Sequence, residues 1–173
     1  YTATITGASS VDTIPFNFIP YGIEELRWSR QIKYTGTSAS GLRLFGSTLA
    51  VNQNESVAIV GGYGASSNGG RVWIFHRNES SNTWVQQGAE FRSSSFSGSA
   101  SQQGYSVAVY DSTVVWGAIG DSSGAGRVYF WQWDGRSAYY ELANFLPTGI
   151  CTTTACALGT SSAIWGNYAV FGA

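Results

Sequence analysis

The sequence predicts an all-β protein built from repeated four-stranded antiparallel sheets, and three observations carry that prediction. The first is composition. Aromatic residues make up 15% and charged residues only 11% of the 173, with 22 Gly against 3 Pro, which suits short strands and tight turns rather than helices. The second is residues 103–131, QGYSVAVYDSTVVWGAIGDSSGAGRVYFW. Its apolar runs at 106–110, 113–117 and 127–131 are parted by the two-residue break Asp111-Ser112, fit for a hairpin, and by a Gly/Ser loop. The third is recurrence: GRVWIF at 70–75 returns as GRVYFW at 126–131, 56 positions on. No window carries apolar residues at helical spacing over ten positions, so helical repeats are excluded.

In chain order, residues 1–26 read as a terminal strand (1–5, alternating) and a connector that holds two of the three prolines. The repeat occupies 27–173. Trp28 opens WSRQ, Trp84 opens WVQQ and Tyr140 opens YELA, each 56 positions after the last. Leu49 to Val51 correspond to Val107 to Val109, residues 57–61 to 113–117, and 161–173 begin a third pass. One period holds strands at 45–51, 56–61, 71–75 and 84–91. The second strand is apolar throughout, so both its faces need cover, which neighbouring sheets would supply. The expected architecture is a β-propeller with one four-stranded blade per period, an incomplete ring of about two and a half to three blades. It enters on a fourth strand and leaves on a second. Bare strand edges invite association, so the rest of the ring is expected from more of the same polypeptide or, as second choice, from other subunits.

The residues Phe45-Gly46, Gly61-Gly62, 70–75, 104–109, 114–118, 126–130 and 171–173 together resemble the FG-GAP repeat, the unit of integrin-α-like propeller heads in secreted and surface proteins. The resemblance spans residues 28–173 and implies a propeller fold with an adhesive or assembly role; fold alone does not imply function. In that family an Asp-rich calcium loop often joins the first and second strands. Here that turn holds Asn52, Gln53, Asn54 and Glu55 in one copy and only Asp111-Ser112 in the other. That is too few acidic oxygens to replace a hard cation's hydration shell, so no calcium, metal or other cofactor is expected.

The remaining chemistry is sparse. A formal net charge of −1 gives no reason for nucleic acid or an anionic membrane as partner, and no apolar run approaches the roughly 20 residues that span a bilayer. With no Met at all and no leader pattern at Tyr1, the sequence reads as a processed product or a fragment. Cys151 and Cys156 are the only cysteines; a loop-stapling disulfide is the first reading and two free thiols the second, a zinc site lacking ligands. Sequons at Asn54 and Asn78 join the cysteines in favouring a secreted or extracellular surface location. In an up-and-down sheet both sequons fall on turns at one end, leaving the other end freer to bind. The single His76 reads as a satisfied or surface residue, and no carboxylate pair or nucleophile–base pair stands out. Trp73, Trp116 and Trp131 fit inter-sheet packing, whereas Tyr63 and Tyr105 lie near loops and are candidate ligand contacts. The expected function is a non-enzymatic extracellular module for protein–protein adhesion or structural assembly. A lectin-like glycan-binding propeller and an accessory domain of a secreted hydrolase are the alternatives.

Overall fold

The computed structural model describes residues 11–13, 32–37, 41, 43–96, 99–149 and 156–173. Its twelve described strands form four antiparallel sheets, none of them closed. A two-stranded sheet pairs β1 (Val11–Thr13) with β2 (Ile32–Tyr34). The first four-stranded sheet is a meander of β3 (Thr48–Val51), β4 (Val57–Gly62), β5 (Arg71–Asn78) and β6 (Thr83–Gln86). The second repeats it with β7 (Gln103–Tyr110), β8 (Thr113–Ala118), β9 (Arg127–Trp133) and β10 (Tyr139–Phe145). A hairpin of β11 (Ser161–Trp165) and β12 (Tyr168–Gly172) begins a third.

The pairing register confirms the repeat. Val51 faces Ala58 in the first meander and Val109 faces Val114 in the second. Asp111 at φ 52° lets the chain reverse in two residues, so that Tyr110 pairs with Thr113. The corresponding turn of the first sheet is longer, and its closure relies on a side chain: the buried Asn52 accepts the backbone N–H groups of Ser56 and Val57 on Oδ1.

Side chains alternate across each sheet, and the repeat preserves which way they point. Val57, Ile59, Val72 and Ile74 leave the front of the first sheet and share one core with Val107, Val114, Trp116 and Tyr129 from the back of the second. Val60, Trp73 and Phe75 leave the back of the first sheet and cluster with Phe45 from the turn before β3. Trp116 and Tyr129 are the repeat counterparts of Val60 and Trp73, and they too point backward. Phe130, the counterpart of Ile74, points forward and meets Phe171 edge-to-face at 5.6 Å. Front packs on back at both junctions. This is heterologous stacking, which propagates rather than terminating in a symmetric pair.

A backbone joint recurs at each junction. The N–H groups of Gln102 and Gln103 donate to the carbonyls of Asn68 and Gly69, and those of Ala157 and Leu158 donate likewise to Gly124 and Ala125. The Thr48 hydroxyl donates to the Gly104 carbonyl at 2.9 Å, and its counterpart Ser106 donates to the Gly159 carbonyl at 2.7 Å. A β-carbon on Gly61 would lie 2.2 Å from the Gly104 oxygen, and one on Gly117 would lie 2.0 Å from the Gly159 oxygen. A side chain at either position would therefore force the sheets apart.

Two details depart from the sequence expectation and one meets it. The fourth strand of the first sheet ends at Gln86 rather than reaching Phe91; Gly88 at φ 69° breaks it, and Phe91 rejoins through an isolated bridge to Val72. As the four-stranded period and the match of Tyr140 to Trp84 lead one to expect, the 103–131 unit is completed by a fourth strand, β10. The connector expected in residues 9–25 contains the strand Val11–Thr13, which pairs in register with Ile32–Tyr34. The strand expected at 1–5 and Cys151 lie outside the described residues, and with Cys151 so does the expected Cys151–Cys156 pair; Cys156 is described and is not a free thiol.

Candidate binding rims

The meander topology sends the β3–β4, β5–β6 and β7–β8 turns to one rim of the stack. The β4–β5 and β8–β9 loops and the β6–β7 link go to the other. Asn54 lies in the β3–β4 turn and Asn78 ends β5, so the two sequons share a rim, and both are exposed. The Asn54 Oδ1 accepts the Ser56 hydroxyl at 2.7 Å, and the Asn78 Oδ1 accepts the N–H groups of Ser80 and Ser81 at 3.0 and 3.2 Å. These Asx-type turns engage the side-chain oxygen, not the amide nitrogen to which a glycan would attach. Arg77 ties the turns together by pairing with Glu55 at 2.9 Å and donating to Asn82 Oδ1 at 2.8 Å.

The turn where the family resemblance would place calcium is organised by the amide of Asn52. Its Nδ2 donates to the Asp111 carbonyl at 2.9 Å and so links the turns of adjacent sheets. Among the described residues no three His, Cys, Asp or Glu side chains converge on a point that could hold a metal ion. No described helix is long and apolar enough to cross a membrane.

On the opposite rim the structure brings Tyr63 and Tyr105 together. Their ring centroids lie 5.0 Å apart at an interplanar angle of 49°, and both rings are half-buried. Tyr105 sits in β7 where the register with β8 shifts between Gln103 and Val107, the kind of irregularity that re-aims a side chain. Trp73 and Trp116 are fully buried and Trp131 half-buried, stacked at 5.3 Å on Trp116. None of the three is a surface platform.

Beneath this rim lies a buried polar network absent from the sequence expectations. Gln103 Oε1 accepts the Ser93 backbone N–H at 2.9 Å and the Trp116 indole N–H at 3.2 Å. Ser93 in turn donates its hydroxyl to Glu141. Asp121, fully buried, accepts the Tyr129 hydroxyl at 2.6 Å and lies 3.4 Å from the Arg127 guanidinium. Burial and that bond to Asp121 push the Tyr129 phenol far above its usual range. Arg92 covers the Phe96 ring at 3.5 Å; burial, followed by the nearby Arg92, lowers the Arg71 pKa. The repeat itself held the signal for Asp121. In the first sheet the matching positions are Ala65 and Trp73; in the second they are Asp121 and Tyr129. A shorter ring with a hydroxyl has been matched by a carboxylate that reaches it.

His76 is half-buried at the sequon end of β5. It shares a 2.9 Å hydrogen bond with the Tyr139 hydroxyl and packs edge-on to Trp133 at 4.7 Å. Burial lowers its pKa below the ordinary imidazole value. No family model matches the chain, and no curated protein matches it.

Proposed function

We propose that the chain is a non-enzymatic extracellular module for protein–protein adhesion or structural assembly, built as part of a β-propeller of FG-GAP-like blades. Front-to-back stacking with a recurring backbone joint supports the propeller reading, because each sheet then needs a like neighbour on both faces. The observation that carries the functional reading is the contrast between the rims. The sequons Asn54 and Asn78 share one; the paired rings of Tyr63 and Tyr105 lie on the other. Glycans would shield the first. Aromatic rings with a polar hydroxyl are favoured protein-contact groups; here Tyr105 stands in β7 and Tyr63 in the turn directly after β4. The buried side chains beneath them are engaged in structural bonds. On this reading they need no cofactor.

The test is binding of the secreted protein to immobilised extracellular-matrix and cell-surface proteins, with Tyr63→Ala/Tyr105→Ala set against Asn54→Gln/Asn78→Gln. The tyrosine variant should weaken binding at least about tenfold, as expected for aromatic hot spots, and the sequon variant should leave it unchanged. Equal binding by wild type and the tyrosine variant would sink the proposal. The same tyrosine pair favours one second reading, a lectin-like site, since aromatic faces also stack on sugar rings. A glycan array on which wild type binds and the tyrosine variant does not would favour that reading instead.

A further inference from the structure

We infer that Arg92, seated over the Phe96 ring, is a carboxylate-recognition site that receives an Asp or Glu side chain of the protein docking on the Tyr63–Tyr105 rim. The inference deepens the adhesion reading and rests on it, because it names the chemistry of that partner.

Arg92 and Phe96 belong to the β6–β7 link, on the same rim as Tyr63 and Tyr105 and at the junction of the two four-stranded sheets. Phe96 packs against the main core, so its ring is a fixed platform. The Arg92 guanidinium carbon stands 3.5 Å from the centroid of that ring, and a β-carbon on Gly69 would lie 3.4 Å from Arg92 Nη2. The guanidinium is thus held from two sides, by the link and by the β4–β5 loop that Tyr63 opens. A planar fork positioned in this way has lost much of its conformational freedom before a ligand arrives, which lowers the entropic cost of pairing. Arg92 stays partly exposed and so remains within reach of a ligand.

Its charge is not matched from within. Arg71, the neighbouring cation, lies 3.9 Å from Glu90 and donates to the Gly70 carbonyl at 2.7 Å. Among the described residues no carboxylate forms an ion pair with Arg92, and its buried Nε has no acceptor. Burial lowers the Arg92 pKa, with the Tyr129 phenol as the counteracting neighbour. The carboxylates of the buried network are committed elsewhere. Glu141 accepts from Ser93, Ser95 and Asn144, and Asp121 serves Ser122, Tyr129 and Arg127. The second sheet shows the balanced alternative: Arg127, the counterpart of Arg71, has Asp121 at 3.4 Å, and the position 56 residues after Arg92 is Thr148. The first junction therefore carries one guanidinium more than its repeat, partly desolvated and lacking a carboxylate. Such a charge is costly unless paired, and a ligand that brings the missing carboxylate removes that cost.

The occupant follows from that deficit. One planar fork with one unmet charge suits one carboxylate, taken bidentately. A polyanion such as a sulfated glycan is held by several cations at once, whereas the chain has 9 Lys and Arg against 10 Asp and Glu, and Glu90 already tempers the field of Arg71. An acidic side chain of a protein also fits the neighbouring rings: Tyr63 and Tyr105 supply apolar contact, and the charge pair fixes register.

The experiment is a chemical-shift titration of the full chain with N-acetyl-glutamate N-methylamide and with its uncharged isostere, N-acetyl-glutamine N-methylamide, at constant ionic strength. The signals followed are the Arg92 side-chain N–H, assigned by its loss in Arg92→Gln, and the Gly69 amide beside it. The amide spectrum verifies that Arg92→Gln and Arg92→Lys fold. The glutamate probe should shift both signals and bind at least about fivefold more tightly than the glutamine probe. Arg92→Gln should abolish that preference at the Gly69 amide, and Arg92→Lys, which keeps the charge but not the fork, should reduce it by at least about half. Equal affinity for the two probes, or a preference that survives Arg92→Gln, would overturn the inference. So would a sulfated heparin disaccharide that binds more tightly than the glutamate probe and is lost in Arg92→Gln, which would assign the fork to a sulfated glycan. A protein captured through Tyr63 and Tyr105 yet indifferent to Arg92→Gln removes this inference alone. Probe binding with no protein captured removes the adhesion reading and leaves the carboxylate site standing.

Discussion

Gly117→Ala isolates the energetics of the joint between sheets. Gly117 has no left-handed backbone, so alanine is locally acceptable, and restricting the unfolded chain would by itself stabilise by about 0.4–1 kcal/mol. Against this, the new β-carbon would sit 2.0 Å from the Gly159 carbonyl oxygen and 2.6 Å from its carbon and Cα. Ordinary carbon contacts are about 3.5–4.0 Å, and these are backbone atoms that cannot rotate away. Overpacking of this kind costs about 1–3 kcal/mol. Separating the sheets also lengthens the 2.7 Å bond from Ser106 to Gly159, worth about 0.5–1.5 kcal/mol. The net expectation is a loss of about 2 kcal/mol. Urea denaturation followed by tryptophan fluorescence should show a midpoint about 1 M lower at a slope near 2 kcal/mol/M. Ser106→Ala should be costly in wild type but nearly silent in the Gly117→Ala background, because the two share one contact. A midpoint unchanged or raised by Gly117→Ala would refute the claim that a close backbone approach holds the sheets together.

Two further predictions test the buried groups. Asp121→Ala leaves the buried Tyr129 hydroxyl without its 2.6 Å acceptor and should cost about 1–3 kcal/mol, whereas adding Tyr129→Trp, which recreates the Ala65–Trp73 combination, should recover at least half of that in the same denaturation assay. For His76, burial places the folded-state pKa below the unfolded value, so the unfolded chain takes up the proton first. The stabilisation is complete above about pH 6.5 and is lost as pH falls through the window below it. The drop in thermal midpoint between pH 7 and pH 5 should therefore be smaller in His76→Gln than in wild type, and an equal drop would show that the ring contributes nothing.

The strands were legible because their signals are local. The run from Val57 to Gly62 is apolar between polar turns, and Asp111-Ser112 can do little but reverse the chain. What was not legible depends on how one sheet is offset against another. Nothing in a separation of 42 residues suggests that Tyr63 and Tyr105 touch; their contact exists because β7 lies against β4 with its register shifted near Gln103. Asn52 looks like one more surface amide in a polar turn, yet it is 4% exposed and bonds across to Asp111. Asp121 sits in a Gly/Ser loop that reads as solvated, yet it is fully buried because the loop folds back over Tyr129.

The joint explains why the repeat is faint in most of the chain and sharp at a few positions. Its contacts are made by backbone carbonyls, backbone N–H groups and one short hydroxyl, Thr48 or Ser106. Such a joint constrains sequence where a side chain would intrude, as at Gly61 and Gly117 and at Gly70 and Gly126, and where a hydroxyl must reach. Everywhere else the two faces need only fill the space between them, which different side chains do equally well. Ala65 with Trp73 and Asp121 with Tyr129 are two such solutions on one backbone frame. Position within the sheet is then set by the glycines, and the chemistry of each junction is free to diverge. A binding surface of the kind proposed for Tyr63 and Tyr105 can then arise at one junction without a copy at the next.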